Sequence, residues 1–461
     1  MVPLDPVTRL PRFAHVYAPE GTPAALGLRY AGLPPSGALP DEIVFRLRRQ
    51  TEPAAFSAVL LTDPQPESAI ELGYVRDDVA ARIGGERAAF GVTLGDLMFD
   101  DLSLYDRHNR IIGALGMPWW NLPGNHDMNL DAPDDRYSRE TFIRHFGARH
   151  AAFQYGGATF LLLDNVEFLG IAHDGKTQYR GHFGARQLGF VRSVLDNVAP
   201  EQPVIACFHI PLRTAVGDAP SLSAIDAHDF LAVLGRRRNC VSFAGHTHTN
   251  EHHYLGATEG FAGGEHHHHV LAAGSGSWWS GPVDAGGIPA ALQTDGCPNG
   301  FFVLDVTPGG SAARFVPAHD PAMGQIRLGL DAPMHGTAPE VIREYPPGAL
   351  SHGPVATAAL GATRLLANLF DGGPHSRMTA AFDGGAALPM DHALRVDPFV
   401  QDVYARAGAT KKPWVQAGIS THLWQIALPA TLGAGAHHVQ VRGVDEHGRA
   451  HAASMILEVT G

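Results

Sequence analysis

The sequence predicts an α/β fold followed by a separate, C-terminal all-β domain. Three observations carry this. Between residues 55 and 305, apolar runs of strand length alternate with helical stretches. From residue 351 onward the recurring pattern is that of strands and turns. The chain has 461 residues, of which 45% are hydrophobic, so it is globular and too long for one typical core.

Taken in order, residues 1–54 are rich in Pro and Gly, as in "PEGTPAALGLRYAGLPPSGALP". They read as irregular structure with one or two strands, including the alternating run Ile43 to Leu47, and as the remnant of a small β domain. No signal peptide is visible there, because an apolar h-region is lacking. The next zone, residues 55–316, holds the runs "FSAVLLTD", "AAFGVTLGD", "MPWWNLPGN", "ATFLLLDN", "VIACFHIP" and "CVSFAGHTH". Strands that are apolar nearly throughout belong to a sheet covered on both faces. A helix is expected over 184–198, with Leu188, Val191, Leu195 and Val198 on one stripe. Residues 317–350 read as a Pro/Gly-rich linker, and 351–461 as a β-sandwich-like domain ending in a hairpin closed around Asp445–Arg449. No run is long and apolar enough for a membrane span.

Charge and cysteine usage exclude several classes. The net charge is −12, with no Lys/Arg block, which argues against a general nucleic-acid binder. Three cysteines, Cys207, Cys240 and Cys297, are too few and too scattered for a disulfide framework. The unusual number is 27 His.

Where the histidines and carboxylates fall points to metal chemistry. The first run ends in Asp63 and Gln65, the second in Gly95-Asp96, and the third in "GNHD", Gly124 to Asp127. A fifth run carries His209, and the sixth ends in "GHTH", Gly245 to His248. An Asp at a strand end is commonly a turn or helix-cap residue, and a lone His in an apolar strand is commonly a core residue. A series of such ends reverses that reading, since ligands in open α/β sheets gather beyond the carboxyl ends of strands. Carboxylates, an amide oxygen and imidazoles suit Fe, Mn or Zn.

The series D-x-Q, GD, GNHD, H, GHTH resembles the calcineurin-like metallophosphoesterase superfamily over roughly residues 55–305. "GSGSWWSGPVDAGGIPAALQTDGCPNGF" and the terminal "STHLWQIALPATLGAGAHHVQVRGVDEHGR" are similar to a bacterial subgroup with β domains flanking the catalytic domain. The resemblance implies a two-layered mixed β-sandwich flanked by helices, two divalent or trivalent metal ions, and an exported, periplasmic location. It implies that Asp63 and His248 hold the first metal, Asp96 bridges, and Asn125, His209 and His246 hold the second. His126 would act as general acid, and Asp127 would orient it. Gln65 stands where the family more usually has His, and its neutral oxygen makes the first site weaker or more Mn-like. Two ions acidify a bridging water and clamp the attacking and leaving oxygens.

Residues nearer the rim are read two ways. Arg213 is a solvated loop residue or a phosphate partner. Trp278 and Trp279 are core or domain-interface residues, or a substrate wall. Asp295 and Asn299 form a turn or line the rim. "EHHHHV", Glu265 to Val270, reads as a strand with two histidines on each face, approaching the active-site rim, in preference to a third metal site. The expected activity is hydrolysis of phosphate esters, most readily phosphodiesters, with a small-molecule or a lipid or sugar phosphate ester as substrate. A phosphomonoesterase or nucleotide-sugar pyrophosphatase on the same site is the alternative. A catalytically weak binding or cell-surface module is a third reading, supported by Gln65 alone.

Overall fold

The computed structural model describes residues 2–318, 324–332, 334–336, 350–408 and 410–461. They form two compact units. The first comprises Met1–Thr247, His253–Gly274 and Phe301–Arg314; the second comprises His248–His252, Ser275–Gly300 and Phe315–Gly461.

In the first unit, the apolar runs are strands. They are β1 Phe56–Leu61, β2 Phe90–Thr93, β3 Trp119–Asn121, β4 Ala151–Tyr155, β5 Ala158–Leu162, β6 Val166–Ile171, β7 Thr177–Gly181, β8 Val204–Cys207 and β9 Cys240–Ala244. β10 Glu251–Leu255, β11 His266–Val270, β12 Gly300–Thr307 and β13 Gly310–Pro317 follow. One sheet has the order β13-β12-β1-β2-β3 and the other β10-β11-β9-β8-β5-β4. Both are mixed: β1, β2 and β3 run parallel while β12 is antiparallel to β1. β5, β8, β9 and β11 run parallel while β4 is antiparallel to β5.

The sheets face one another in two layers. Phe56 and Phe90 from the first meet Phe160 from the second at centroid distances of 6.2 and 5.1 Å, and Phe302 meets His269 at 5.0 Å. A helical stretch over 71–83, α1, buries Leu72, Val75, Val79 and Ile83, spaced by three or four residues as an amphipathic helix requires. The expected helix at 184 is α4, Gly184–Leu195, after α2 Tyr105–Gly113 and α3 Glu140–Phe146; α5 is Ala227–Leu234. α4 and α5 lay Leu188, Val191, Leu195, Phe230 and Leu234 on the second sheet. Burial of such side chains stabilises by about 1.5–3 kcal/mol each.

Ile43 to Leu47, expected as a strand, has no regular structure, and Ile43, Val44, Phe45 and Leu47 are exposed. Alternation makes a strand only where an edge and an apolar face receive it. Among the described residues before β1, the regular features are a 3₁₀ turn at Ala24–Leu26 and a bridge between Leu4 and Pro11.

The second unit is a sandwich. β14 Ile326–Leu330, β15 Arg364–Leu369 and β17 Leu423–Ala427 form one sheet with the short strand Asp391–His392. β16 Arg377–Phe382, β18 Gly435–Val444 and β19 Ala450–Thr460 form the other with Val355–Ala356 and Leu388–Pro389. Leu365, Ala367 and Leu369 share a core with Met378, Val439, Val441 and Leu457. The terminal hairpin closes at Asp445, whose carboxylate accepts from the backbone N–H of His447 and Arg449.

Two features differ from expectation here. β14 falls inside the segment read as a linker, while residues 337–349 of that segment lie outside the described residues. The β domain also contains a helix, α6 Pro398–Arg406. Asp397 caps it by accepting from Phe399 N–H, and Pro sits at its first position. The chain's "DPFVQDVYAR" carried that signal. All three cysteines are buried and free.

Candidate metal centre

The motif residues of the first unit leave parallel strands through strained turns. Asp63, Gln65, Asp96 and His246 have φ of 47°, 37°, 51° and 80°, a region unfavourable to side chains other than Gly, Asn and Asp. The loops are laced together by their backbones: Asp63 N–H donates to Gly95 carbonyl, Gln65 N–H to Asp96 carbonyl, and Gly245 N–H to His209 carbonyl. This close approach explains the glycines. A Cβ on Gly124 would collide with the Asp96 carboxylate, and one on Gly245 with Thr62 and the Asp63 carboxylate.

The side chains converge. His209 Nε2 lies 3.0 Å from Asn125 Oδ1, 3.3 Å from Asp96 Oδ2 and 3.2 Å from His246 Nδ1. Asp63 accepts from His246 N–H at 3.0 Å. Each histidine has its other nitrogen tied to a carbonyl, His209 Nδ1 to Leu94 at 3.0 Å and His246 Nε2 to Ser221 at 2.8 Å. Those bonds fix the tautomers and turn two lone pairs toward the carboxylate of Asp96. Donors of Asp96, His209 and His246 lie within 4.8 Å of one another. Separations of about 3 Å match donors sharing one ion through bonds of about 2 Å.

Gln65 adds a second indication. Its Nε2 donates to Asp96 Oδ2 at 2.6 Å, which fixes the amide's orientation, and its Oε1 is buried without a hydrogen-bond partner among the described residues. An orphaned buried oxygen beside a carboxylate is what a cation satisfies. The residues present therefore fit a metal centre.

The electrostatics agree. Burial pushes the Asp96 carboxyl up, yet the charges of His209 and His126 and the His209 hydrogen bond hold it well below the usual range. Burial pushes His209 down, but the Asp96 charge and hydrogen bond raise it to about 9. A pocket that holds a proton this firmly is one where a metal cation competes for the same lone pair.

His126 stands at the mouth, its side chain 22% exposed. Its backbone N–H donates to Asp96 Oδ1 at 2.9 Å, its ring stacks on Phe99 at 4.4 Å, and its Nδ1 meets Asp100 Oδ1 at 2.8 Å. Burial lowers its proton affinity, while the Asp96 charge and the Asp100 hydrogen bond lift it to about 9. Asp127, expected to orient His126, does something else. It accepts from the backbone N–H of Leu97 and Gly124 and from the Tyr105 hydroxyl, so it ties two motif loops together. Burial and the Asp96 charge raise it to about 6. The carboxylate at His126 is Asp100, which sequence reasoning missed; the second acid of "GDLMFDD" was its signal.

Arg213 is 57% exposed and lies 3.9 Å from Glu259, directed to a surface carboxylate. His248 belongs by its contacts to the second unit, where its Nδ1 meets the Gly276 carbonyl and its ring stacks on Trp278 at 3.9 Å. Trp279 is buried. Asp295 and Asn299, read as a turn or as part of the rim, are buried, and Asp295 lies in a turn, where it accepts from the N–H of Asn250 and Cys297 and lies 2.9 Å from His422. The Asp295 carboxylate closes the turn through Cys297 N–H. "EHHHHV" is strand β11 as expected; His266 and His268 share one face, both within 2.8 Å of the Ser242 hydroxyl.

Residues 62–250 match the family described as calcineurin-like phosphoesterase, and residues 268–451 match that described as the C terminal of calcineurin-like phosphoesterase. No curated protein matches the chain. Among solved structures, that of PhoD shares 13% identity over 57% of this chain and 68% of its own, with a TM-score of 0.39. Purple acid phosphatase PPD1 from yellow lupin (Lupinus luteus) seeds shares 14% identity over 58% of this chain, with a TM-score of 0.41. The chain spans about half, 53%, of the lupin enzyme. The two family matches together take in most of the sequence, and the chain belongs to the calcineurin-like phosphoesterases. It is a metal-dependent hydrolase of phosphate esters, with a family centre that is binuclear.

Proposed function

We propose that this chain hydrolyses phosphodiesters at the cluster described above. The observation that carries the reading is the convergence of Asp96, His209 and His246 with their lone pairs facing inward. Asp63, Gln65, Asp96, Asn125, His209, His246 and His248 are the proposed metal ligands, the last on the strength of the resemblance. Bound Mn, Zn or Fe ions supply the charge that activates water and stabilises the phosphoryl oxygens. Asp100 holds His126 by Nδ1, leaving Nε2–H to protonate the departing alkoxide, a contribution of about 10²–10⁴-fold. Asp127 keeps the loops carrying Asp96 and Asn125 in register.

The diester preference rests on charge. The strongest charges acting on Asp96 are imidazoles, and Arg213 is directed to Glu259. A monoester dianion attracts more Lys and Arg than these contacts provide, whereas a diester monoanion does not need them. An exported location follows only from the subgroup likeness; no helix among the described residues is long and apolar enough to cross a membrane. Purified protein reconstituted with Mn, Zn or Fe is to be assayed against mono- and diesters. Faster turnover of diesters is expected; preference for monoesters would overturn the substrate class, and no hydrolysis by metal-loaded protein would overturn the activity.

A further inference from the structure

One side chain at this centre belongs to no motif. Tyr179 lies on β7, part of the two-stranded hairpin β6–β7 that stands outside both main sheets. Its ring meets His246 edge to face, with centroids 5.9 Å apart at 82°. The hairpin is firmly seated. Tyr179 pairs across the strands with Phe168, which is buried with Val166, Met128 and Ile210. Met128 directly follows Asp127, and Ile210 directly follows His209. The same apolar cluster therefore fixes the hairpin against the two loops that carry His126 and His209.

The hydroxyl is what distinguishes this phenol. Tyr105 spends its hydroxyl on Asp127, Tyr30 donates to the Asp100 carbonyl, and Tyr404 donates to the Leu292 carbonyl. The hydroxyl of half-buried Tyr179 makes no hydrogen bond among the described residues, although the ring stands against His246 of the polar cluster. Strand alternation puts its neighbour Arg180 on the opposite face, where Glu167 holds it at 2.6 Å. The hairpin thus brings a neutral donor, and no cation, to the centre.

We propose that Tyr179 is a substrate-binding residue that donates a hydrogen bond from its hydroxyl to a non-bridging oxygen of the bound phosphate ester, on the side of His246. This deepens the phosphodiesterase reading and rests on it. A neutral donor suits a diester monoanion, because it adds a directed hydrogen bond without the charge that a dianion would reward.

The test uses the full chain loaded with Mn, as wild type, Tyr179→Phe and Tyr179→Leu. Three quantities are read: metal content per chain, affinity for inorganic phosphate by titration calorimetry, and kcat and KM for bis(4-nitrophenyl) phosphate. Tyr179→Phe removes only the hydroxyl. It is expected to keep the wild-type metal content while phosphate affinity and kcat/KM each fall about 10- to 100-fold, as for a lost hydrogen bond to a charged group. Tyr179→Leu is expected to show at least that loss. A Tyr179→Phe protein equal to wild type in both readings would reduce the residue to a packing ring and overturn the proposal. Loss of metal in Tyr179→Phe would make it a support for His246 and overturn it equally. Should the metal-loaded wild type hydrolyse no ester, the phosphate titration still decides Tyr179. Failure of the wild type to bind phosphate would count against it.

Discussion

Two pairs of histidines in the first unit meet opposite fields. His209 and His246 leave strand ends beside Asp96, and His209 is raised to about 9 by that carboxylate against the effect of burial. His266 and His268 lie in the middle of a sheet, and burial drives His266 down to about 3 and His268 well below its ordinary value. The second pair bonds to neutral groups alone, and His266 Nδ1 is buried without a hydrogen-bond partner among the described residues. Leu212 N–H donates to His268 Nε2, so the His268 proton is on Nδ1 and goes to the Ser242 hydroxyl, whose own hydrogen goes to His266 Nε2. Here the imidazoles that share a pocket with a carboxylate gather around it, whereas His266 and His268, which have none beside them, are polar core groups held neutral.

The largest effect expected from breaking this contrast is at Asp96. Asp96→Asn keeps the shape and removes the charge on which the imidazoles converge. Metal content should fall by at least one ion per chain, and kcat by about 10³-fold or more. His268→Phe should keep its metal. Elemental analysis and turnover on the two variants decide it, and an Asp96→Asn enzyme with full metal and full rate would remove Asp96 from the centre.

Next in size is His126. His126→Ala should retain metal and lose about 10²-fold in kcat, most for alkyl esters and least for nitrophenyl esters, whose leaving groups need little protonation. Equal losses across a leaving-group series would instead make His126 a ligand for phosphoryl oxygens. Asp100→Asn should show the same dependence at about tenfold, because it only positions the imidazole. Gln65→His should change rate by only a few-fold while shifting preference toward Zn or Fe, since imidazole is the better donor to both. Competition between metals for the two proteins is the measurement; an unchanged order of affinities would place Gln65 outside the coordination sphere.

These residues differ in how far the sequence revealed them. Asp63, Asp96, Asn125, His209 and His246 were legible because strand, turn and ligand are contiguous, and because the glycines of GD, GN and GH record close approach between neighbouring loops. Asp100 was half legible: it lies four residues beyond Asp96, but only the fold brings it to His126. Tyr179 carries no local sign, since its role depends on a hairpin that packs through Phe168 on distant loops. Arg213, Asp295 and Asn299 stayed open between two readings because polarity near a motif does not say which way a side chain turns; the fold leaves Arg213 exposed and Asp295 in a buried turn. Ile43 to Leu47 misled because alternation cannot say whether a partner strand is present.

The smallest effect concerns the neutral pair and appears in stability alone. In the unfolded chain His266 takes its proton near its ordinary value of 6.5, whereas in the folded chain it waits until about 3. Between these values the unfolded state binds more protons, so lowering the pH favours unfolding. The contribution is fully present above 6.5 and is lost as the pH falls toward 3. The limiting slope is about 1.4 kcal/mol per pH unit for one such group, and about 1 kcal/mol should be lost from His266 over the first pH unit or so below 6.5. His266→Phe removes the titrating group while leaving the Ser242 hydroxyl short of one acceptor, so its absolute stability falls but its pH slope should flatten. Urea unfolding of both proteins at pH 7.5, 6.5 and 5.5 gives the two slopes, and their difference cancels the pH dependence of metal binding common to both. Parallel slopes would mean that folding leaves the His266 proton affinity unchanged, and the contrast between the two pairs would then reduce to geometry.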